Sequence, residues 1–136
     1  MDNLLNYSKG VVAIVGTALT WLFGAWDTAL MVLVCFMALD YCTGVVRAFI
    51  NKEVSSDIGL KGITRKAVIL IVLIVAVLLD RLLNTGHWVF RTLVAYFYIA
   101  NESISLLENC SALGLPIPEQ LKDALIQLKE GNKKAS

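Results

Sequence analysis

Long apolar stretches separated by short polar ones run through most of the chain. Four of these stretches approach the roughly 20 residues that a membrane-spanning helix needs. They cover residues 9–26, 28–50, 63–83 and 88–108. We therefore predict an all-α fold, an integral membrane helical bundle, with a domain of four transmembrane helices over residues 1–113. Three spans, with the first stretch lying partly in the membrane interface, are the alternative.

The first two stretches are too long to form one spanning helix. A continuous helix from Val11 to Ile50 would be about 60 Å long at 1.5 Å per residue, which is twice the roughly 30 Å of a hydrocarbon core. A turn near Gly24 to Asp27 resolves this. The Asp27 carboxylate can then accept the free N–H groups that begin the second helix, so we predict that Asp27 caps it.

Residues 114–136 differ in character from the rest. Pro116 and Pro118 interrupt the chain after the fourth stretch, and residues 119–130 then predict a short amphipathic helix in a charged, cytoplasmic tail. Its apolar stripe consists of Leu121, Leu125 and Leu128. A helix of about 12 residues is marginal alone in water, so we expect it to dock on the membrane surface or on a neighbouring chain.

Composition supports the membrane interpretation. Hydrophobic residues make up 57% of the chain and charged residues 17%, against roughly 45–50% and 25% in soluble domains, and mean hydropathy is +0.70. The net charge of +1 gives no basic surface for a nucleic acid. With three cysteines and one histidine, no metal-ligand spacing is present. We expect no metal, no cofactor and, without a phosphate loop or nucleophile motif, no enzyme.

The distribution of lysine and arginine predicts the orientation. With four spans, one side holds Lys9, Arg47, Lys52, Lys61, Arg65, Lys66, Lys122, Lys129, Lys133 and Lys134. The other side holds Arg81 and Arg91. We therefore predict a multi-pass protein with both termini in the cytoplasm. The second and third spans would be joined by a basic cytoplasmic loop carrying Lys52, Lys61, Arg65 and Lys66.

Three of the four spans carry polar side chains at or near membrane depth. Asp40, Gly44 and Arg47 share one helical face, and Asp80 ends the apolar core of span three. A charge at the centre of a bilayer costs at least about 2.5 kcal/mol. The candidate polar seam consists of Asp40, Thr43, Arg47, Asp80, Tyr98, Asn101, Glu102, Ser105 and Asn109. Our hypothesis is that helix contacts satisfy the seam in one state and water in another; the alternative is snorkelling to the headgroups.

Small residues at four-residue spacing form a second pattern. Gly16, Thr20 and Gly24 lie on one face of the first span, and Gly44 with Ala48 forms a weaker pair in the second. Such spacing lets two helix backbones approach closely in lipid. We therefore predict helix packing at these positions, within or between chains.

An ordered set of motifs lies between about residues 33 and 115. It comprises DYCTG at 40–44, SSDIGLKGITRK at 55–66, Asp80, FYIANESIS at 97–105 and LEN at 107–109. Taken together, the set resembles the toxin-secretion/phage-lysis holin family, which includes phage holins of Gram-positive hosts and toxin-release holins of clostridia. The motifs do not cover the first span.

The resemblance implies a function. A holin is a homo-oligomer that accumulates in the bacterial cytoplasmic membrane, forms holes, and lets endolysin reach the cell wall or toxin leave the cell. The partners implied are the chain itself, the lipid bilayer and, without necessary direct contact, an endolysin or toxin. No enzyme activity or cofactor is implied. Two other classes stay open: a small ion or solute channel or transporter subunit, and a non-conducting holin antagonist or membrane scaffold.

Overall fold

The computed structural model describes residues 1–134, with side chains described for residues 1–127 and for Glu130. This part of the chain forms five α-helices and contains no β-strand. The helices are α1 (Asp2–Phe23), α2 (Thr28–Ile50), α3 (Ser56–Leu82), α4 (Val89–Ala112) and α5 (Glu119–Lys134). The predicted all-α fold is confirmed over the described residues.

The turn between α1 and α2 lies where the sequence predicts it. α1 ends at Phe23, and Gly24 follows with a left-handed φ of 84° that a side chain would strain. Asp27 Oδ1 accepts a hydrogen bond from the Leu30 backbone N–H at 3.0 Å. The predicted turn and cap are therefore confirmed. α1 itself starts at Asp2, so Lys9 lies inside the helix and not ahead of it.

The connection between α2 and α3 is shorter than predicted. Ser55 Oγ accepts a hydrogen bond from the Ile58 backbone N–H at 3.2 Å, so α3 begins at Ser56 instead of near Ile63. Three residues of the predicted basic loop are consequently helical: Lys61, Arg65 and Lys66. Lys52 lies in the connection. The prediction of one loop carrying all of these residues is wrong, because the serine cap lengthens the helix.

Two of the helices, α2 and α3, are long and apolar enough to cross a membrane by length and composition. The other long helices carry more polar residues; α4 includes Arg91, Glu102 and Asn109. The predicted count of four spanning helices is therefore not confirmed by hydropathy within the described range. α4, the least apolar of the four long helices, also has the most buried residues.

α4 is the centre of the bundle. It packs against α2, α3 and α5, whereas α1 makes its main contact with α3. The apolar core consists of Phe23, Leu30, Leu33, Met37, Ile69, Leu73 and Ala95. Along α2, α3 and α4, the core residues lie between two charged residues: Asp27 and Asp40, Lys66 and Asp80, and Arg91 and Glu102. The core therefore forms a layer between the two ends of the bundle.

The tail helix folds back onto its own chain. α5 starts at Glu119, directly after Pro118, as predicted. Lys122 lines a cavity together with Ile104 and Leu107, and Leu125 lines another together with Tyr96 and Ile99. α5 therefore runs back along α4 from its C-terminal end. α5 therefore docks on α4 of its own chain, and not on a membrane surface or a neighbouring chain as expected. Of the tail residues named in the predictions, Leu128, Lys129, Lys133 and Lys134 have side chains outside the described ones.

Candidate functional site

One lysine joins three helices in the half of the bundle nearer the α2–α3 connection. Lys66 Nζ of α3 donates to Asp40 Oδ2 of α2 at 2.7 Å and to Glu102 Oε2 of α4 at 2.5 Å. The exposed fractions of the Lys66, Asp40 and Glu102 side chains are 14%, 13% and 1%. We call these residues the lysine triad. A buried carboxylate needs such a partner, because an unpaired charge there is strongly destabilising.

An asparagine extends the lysine triad. Asn109 Nδ2 donates to Asp40 Oδ1 at 3.0 Å and lies 3.2 Å from Thr43 Oγ1. Arg47 Nη1 donates in turn to Asn109 Oδ1 at 3.4 Å. The inner cluster, defined as the lysine triad with Thr43, Arg47 and Asn109, holds two carboxylates and two cations. Its formal charges therefore cancel.

Arg91 organises the opposite end of the bundle. Its guanidinium donates to both carboxylate oxygens of Asp27, at 2.8 and 3.0 Å, and to the backbone oxygens of Phe23 at 2.6 Å and Ala25 at 2.9 Å. The start of α4 is thereby fixed to the α1–α2 turn. Hydrogen bonding from Arg91 holds the pKa of the Asp27 carboxyl below its usual value, although partial burial opposes this shift.

Asp80 acts as a cap for a helix other than its own. Its side chain is buried in α3, and it accepts hydrogen bonds from the backbone N–H groups of Phe90 at 3.0 Å and Arg91 at 2.8 Å. Thr85 Oγ1 donates to the same carboxylate at 2.8 Å. Trp88, at the N-cap position of α4, makes no capping hydrogen bond with its side chain. Asp80 therefore supplies the acceptors that the first turn of α4 needs.

Arg81 completes the outer end. Its guanidinium lies 4.8 Å from the ring of Trp21 and 5.1 Å from that of Trp88, and Nη2 donates to the Trp21 backbone oxygen at 2.9 Å. We call Asp27, Asp80, Arg81 and Arg91 the outer cluster; its formal charges also cancel. Across the described residues, every buried side-chain nitrogen and oxygen has a hydrogen-bond partner.

The residues of the predicted polar seam do not form one continuous group in the structure. Asp40, Thr43, Arg47, Glu102 and Asn109 meet in the inner cluster, and Asp80 lies in the outer cluster. Tyr98 packs against the apolar core, Asn101 is half-buried, and Ser105 lines a cavity beside the inner cluster.

Sequence reasoning placed Lys66 in a loop and so missed its role. A signal for this role was present in the sequence. Two carboxylates at membrane depth need a cation, and Lys66 directly precedes the apolar run of α3. It also assigned Asp27 only as a cap. The structure adds the ion pair of Asp27 with Arg91, whose two partners are 64 residues apart.

The small residues differ in their surroundings. A side chain at Gly24 would come within 3.1 Å of Arg91, and one at Gly44 within 3.6 Å of Asn109, whereas Gly16 has open space around it. Thr20 donates its hydroxyl to the Gly16 backbone oxygen, and Ala48 lines the cavity beside the inner cluster. Two glycines outside these patterns, Gly59 and Gly62 of α3, lie against the side chain of Tyr41 of α2.

Both clusters combine ion pairs with hydrogen bonds, and each includes one exposed arginine, Arg47 in the inner cluster and Arg81 in the outer cluster. Among the described residues, no group of three or more His, Cys, Asp and Glu side chains is arranged to hold a metal ion. The charged side chains of the two clusters are held by one another, by Thr85 and Asn109, and by backbone groups. These contacts stabilise the packing of the helices. An arrangement that separates the helices would leave the same charged groups in need of water, because a buried charge without a partner is costly.

Comparison with known proteins places these features in a family context. A model of the bacteriophage holin family matches residues 17–130. A 14.9 kDa protein in the nagH 3'region of Clostridium perfringens is 60% identical over 134 residues, which cover 98% of this chain and 100% of that protein. A probable holin of Bacillus phage phi105 is 36% identical over 95 residues, which cover 69% of each chain. No solved structure matches significantly.

Proposed function

Because the chain belongs to the bacteriophage holin family, we propose that it oligomerises in the cytoplasmic membrane and opens holes there. Membership makes it a non-enzymatic membrane protein with a holin-type role. The holes would pass a cytoplasmic protein that cannot otherwise cross. That protein is an endolysin in host-cell lysis, or a toxin where a toxin is released.

In the proposed topology, α1 to α4 each cross the membrane and both termini lie in the cytoplasm. The positive-inside rule supports this orientation, since basic residues concentrate at the α2–α3 end and in the tail. Residues 1–113 then form the membrane domain and residues 114–136 the cytoplasmic tail. In the structure α5 packs against α4.

The observation that carries the proposed mechanism is the lysine triad. Two carboxylates and one ammonium group from three different helices are enclosed by a single chain. A plain membrane anchor has no use for such groups, because each costs at least about 2.5 kcal/mol at the bilayer centre. Paired in this way, they give a resting subunit that lipid can surround.

Hole opening is then an exchange of partners. When the density of subunits rises, α2, α3 and α4 separate from one another and rejoin neighbouring chains, with the polar seam facing a water-filled lumen. Hydration replaces the ion pairs as the source of stability for Asp40 and Glu102. The apolar faces that already contact lipid do not need to change.

Inducible expression with a co-expressed cytoplasmic endolysin tests this function. We expect an abrupt loss of viability after a fixed delay, together with release of cytoplasmic protein into the medium. A channel or transporter subunit would leak ions but retain protein. An antagonist or scaffold would do neither and would delay lysis by a second holin. Either of the last two outcomes would contradict the proposal.

The variants Asp40→Asn and Glu102→Gln should each delay lysis by about twofold or more while leaving membrane insertion unchanged. Each removes one of the two carboxylates but leaves the other paired with Lys66, so the resting subunit keeps a neutral pair. A neutral amide gains less than a carboxylate from facing water, which weakens the drive to open.

The measurement for these variants is lysis time at matched membrane abundance, determined by immunoblot of the membrane fraction. Thr17→Val on α1 is a matched polar control, because its hydroxyl bonds only to the Ala13 backbone oxygen of its own helix. Unchanged timing in both carboxylate variants would exclude the lysine triad from the opening step.

A further inference from the structure

A cavity of about 410 Å³ opens beside the inner cluster. It lies between α2, the first part of α3 and α4. Asp40, Lys66 and Asn109 contribute to its polar wall, and Ser55 and Arg65 lie on the side of the α2–α3 connection. The cavity exists because this part of α2 and α3 is rich in small residues. Those that line it are Gly44, Ala48, Gly59 and Gly62.

The charged atoms on this cavity need a polar medium. Asp40 and Lys66 are 13% and 14% exposed, whereas Glu102 behind them is 1% exposed. A charged group open to hydrocarbon is expensive, and the short aspartate side chain cannot reach a distant headgroup. Lipid chains therefore make a poor filling for the part of the cavity next to Asp40 and Lys66, whereas Val45, Val54 and Ile58 form an apolar wall elsewhere. At a volume of about 410 Å³, the cavity has room for on the order of ten water molecules.

The depth of the lysine triad makes water access necessary. At 1.5 Å per residue, its members lie about 17 to 21 Å from the outer cluster along α2, α3 and α4. A hydrocarbon core is about 30 Å thick. With the outer cluster at the outer interface, the lysine triad lies roughly 10 Å below the cytoplasmic one. The cavity spans this distance.

The opposite direction is closed. Met37 and Ile69, 6% and 3% exposed, lie next to the lysine triad along α2 and α3. Farther on, Leu33, Leu73 and Ala95 are 0%, 0% and 1% exposed and belong to the same core between α2, α3 and α4. Water entering from the α2–α3 end therefore meets a packed apolar layer. This layer separates the inner cluster from the outer one.

We propose that the cavity is a water-filled vestibule, open to the cytoplasm, that hydrates Asp40 and Lys66 in the resting subunit while the apolar core seals the outer half. The proposal rests on the topology given under the proposed function. It means that part of the polar seam is already in contact with water before the helices separate. The apolar layer that contains Leu33 and Leu73 is then the part of the subunit that must separate to admit water to the outer half.

Cysteine labelling in everted membrane vesicles tests the vestibule. In a background with Cys35, Cys42 and Cys110 replaced by alanine, Ser105→Cys places a thiol on the cavity wall. Ser103→Cys is the matched control on the same helix, since Ser103 is buried and bonds to the Ile99 backbone oxygen. A charged, membrane-impermeant methanethiosulfonate should modify Ser105→Cys at least about tenfold faster than Ser103→Cys.

A second variant identifies the route of the reagent. Adding Ala48→Trp fills the cavity from α2, and it should slow modification of Ser105→Cys about tenfold or more. Labelling at equal rates in Ser105→Cys and Ser103→Cys, or no effect of Ala48→Trp, would overturn the proposal. Slow labelling of both cysteines would indicate that lipid or a packed side chain fills the cavity.

A topology control distinguishes failure of the vestibule proposal from failure of the proposed function. Glu53→Cys lies in the α2–α3 connection and Asn84→Cys in the α3–α4 connection. In everted vesicles the first should react and the second should not. The reverse pattern would overturn the topology. The expected pattern with an unreactive Ser105→Cys would overturn the vestibule alone.

Discussion

Replacement of Lys66 by methionine should destabilise the protein by about 3–5 kcal/mol, the range found when one partner of a buried ion pair is removed. The variant leaves Asp40 and Glu102 facing each other across the space that the ammonium group occupied, 2.7 and 2.5 Å from them. Glu102 is enclosed and has no access to bulk water. The helices that carry these carboxylates should separate, and the protein should fail to accumulate in the membrane.

A charge-balanced variant distinguishes the loss of pairing from the loss of the lysine itself. The triple variant Lys66→Met, Asp40→Leu, Glu102→Met carries no charge in the lysine triad, and replacing a whole buried ion group by hydrophobic residues of similar volume is often nearly neutral for stability. We expect it to regain most of the wild-type abundance. Lys66→Arg should also be tolerated better than Lys66→Met, because it retains the cation.

The measurements are abundance in the membrane fraction and denaturant unfolding in mild detergent. Wild-type stability of Lys66→Met, or equal losses in Lys66→Met and the triple variant, would contradict the assigned role of Lys66. The triple variant should also lyse cells late or not at all, because the carboxylates that favour a hydrated lumen are gone.

Replacement of Arg91 by glutamine should cost about 2–4 kcal/mol of folding free energy. Four hydrogen bonds from one guanidinium are lost, and the backbone oxygens of Phe23 and Ala25 lose their donor. Asp27 is 45% exposed and can be hydrated, which limits the loss. Arg91→Lys should recover only part of the stability, because an ammonium group cannot reproduce the bidentate contact with Asp27.

Arg81→Gln is the matched control for Arg91→Gln. Arg81 belongs to the same outer cluster but is exposed, and its contacts are two tryptophan faces and one backbone oxygen. Contacts of this kind at an exposed site are worth about 1 kcal/mol or less. Unfolding in detergent and the rate of proteolysis in the α1–α2 turn should both separate the two variants. Indistinguishable variants would rule out Arg91 as the residue that fixes α1 and α2 to α4.

The sequence by itself determined the class of protein and several of its boundaries. Apolar stretches with too few polar residues to cover a soluble surface predict a helical membrane protein. The overlong apolar run from Val11 to Ile50 requires a turn, and Asp27 is the residue that can cap the helix after that turn; α2 and its cap match. These features depend on neighbouring residues, because helix length, capping and turn preferences are local.

The sequence also selected Asp40, Asp80 and Glu102 as unusual residues, because burying a charge is costly wherever it occurs in a membrane. It did not determine their partners. Lys66 lies 26 residues from Asp40 and 36 from Glu102, and no periodicity links positions on separate helices. Asp80 belongs to the seam by sequence pattern, yet in the structure it caps α4.

The tertiary structure decided the contacts that depend on how the helices pack. Placing α4 between α2 and α3 brings Glu102 to Lys66, sets Arg91 against the α1–α2 turn and leaves a cavity where glycines and alanine line α2 and α3. The same packing brings α5 back onto α4. Local sequence signals fix helices one at a time, whereas the pairing of buried charges is a property of their arrangement in space.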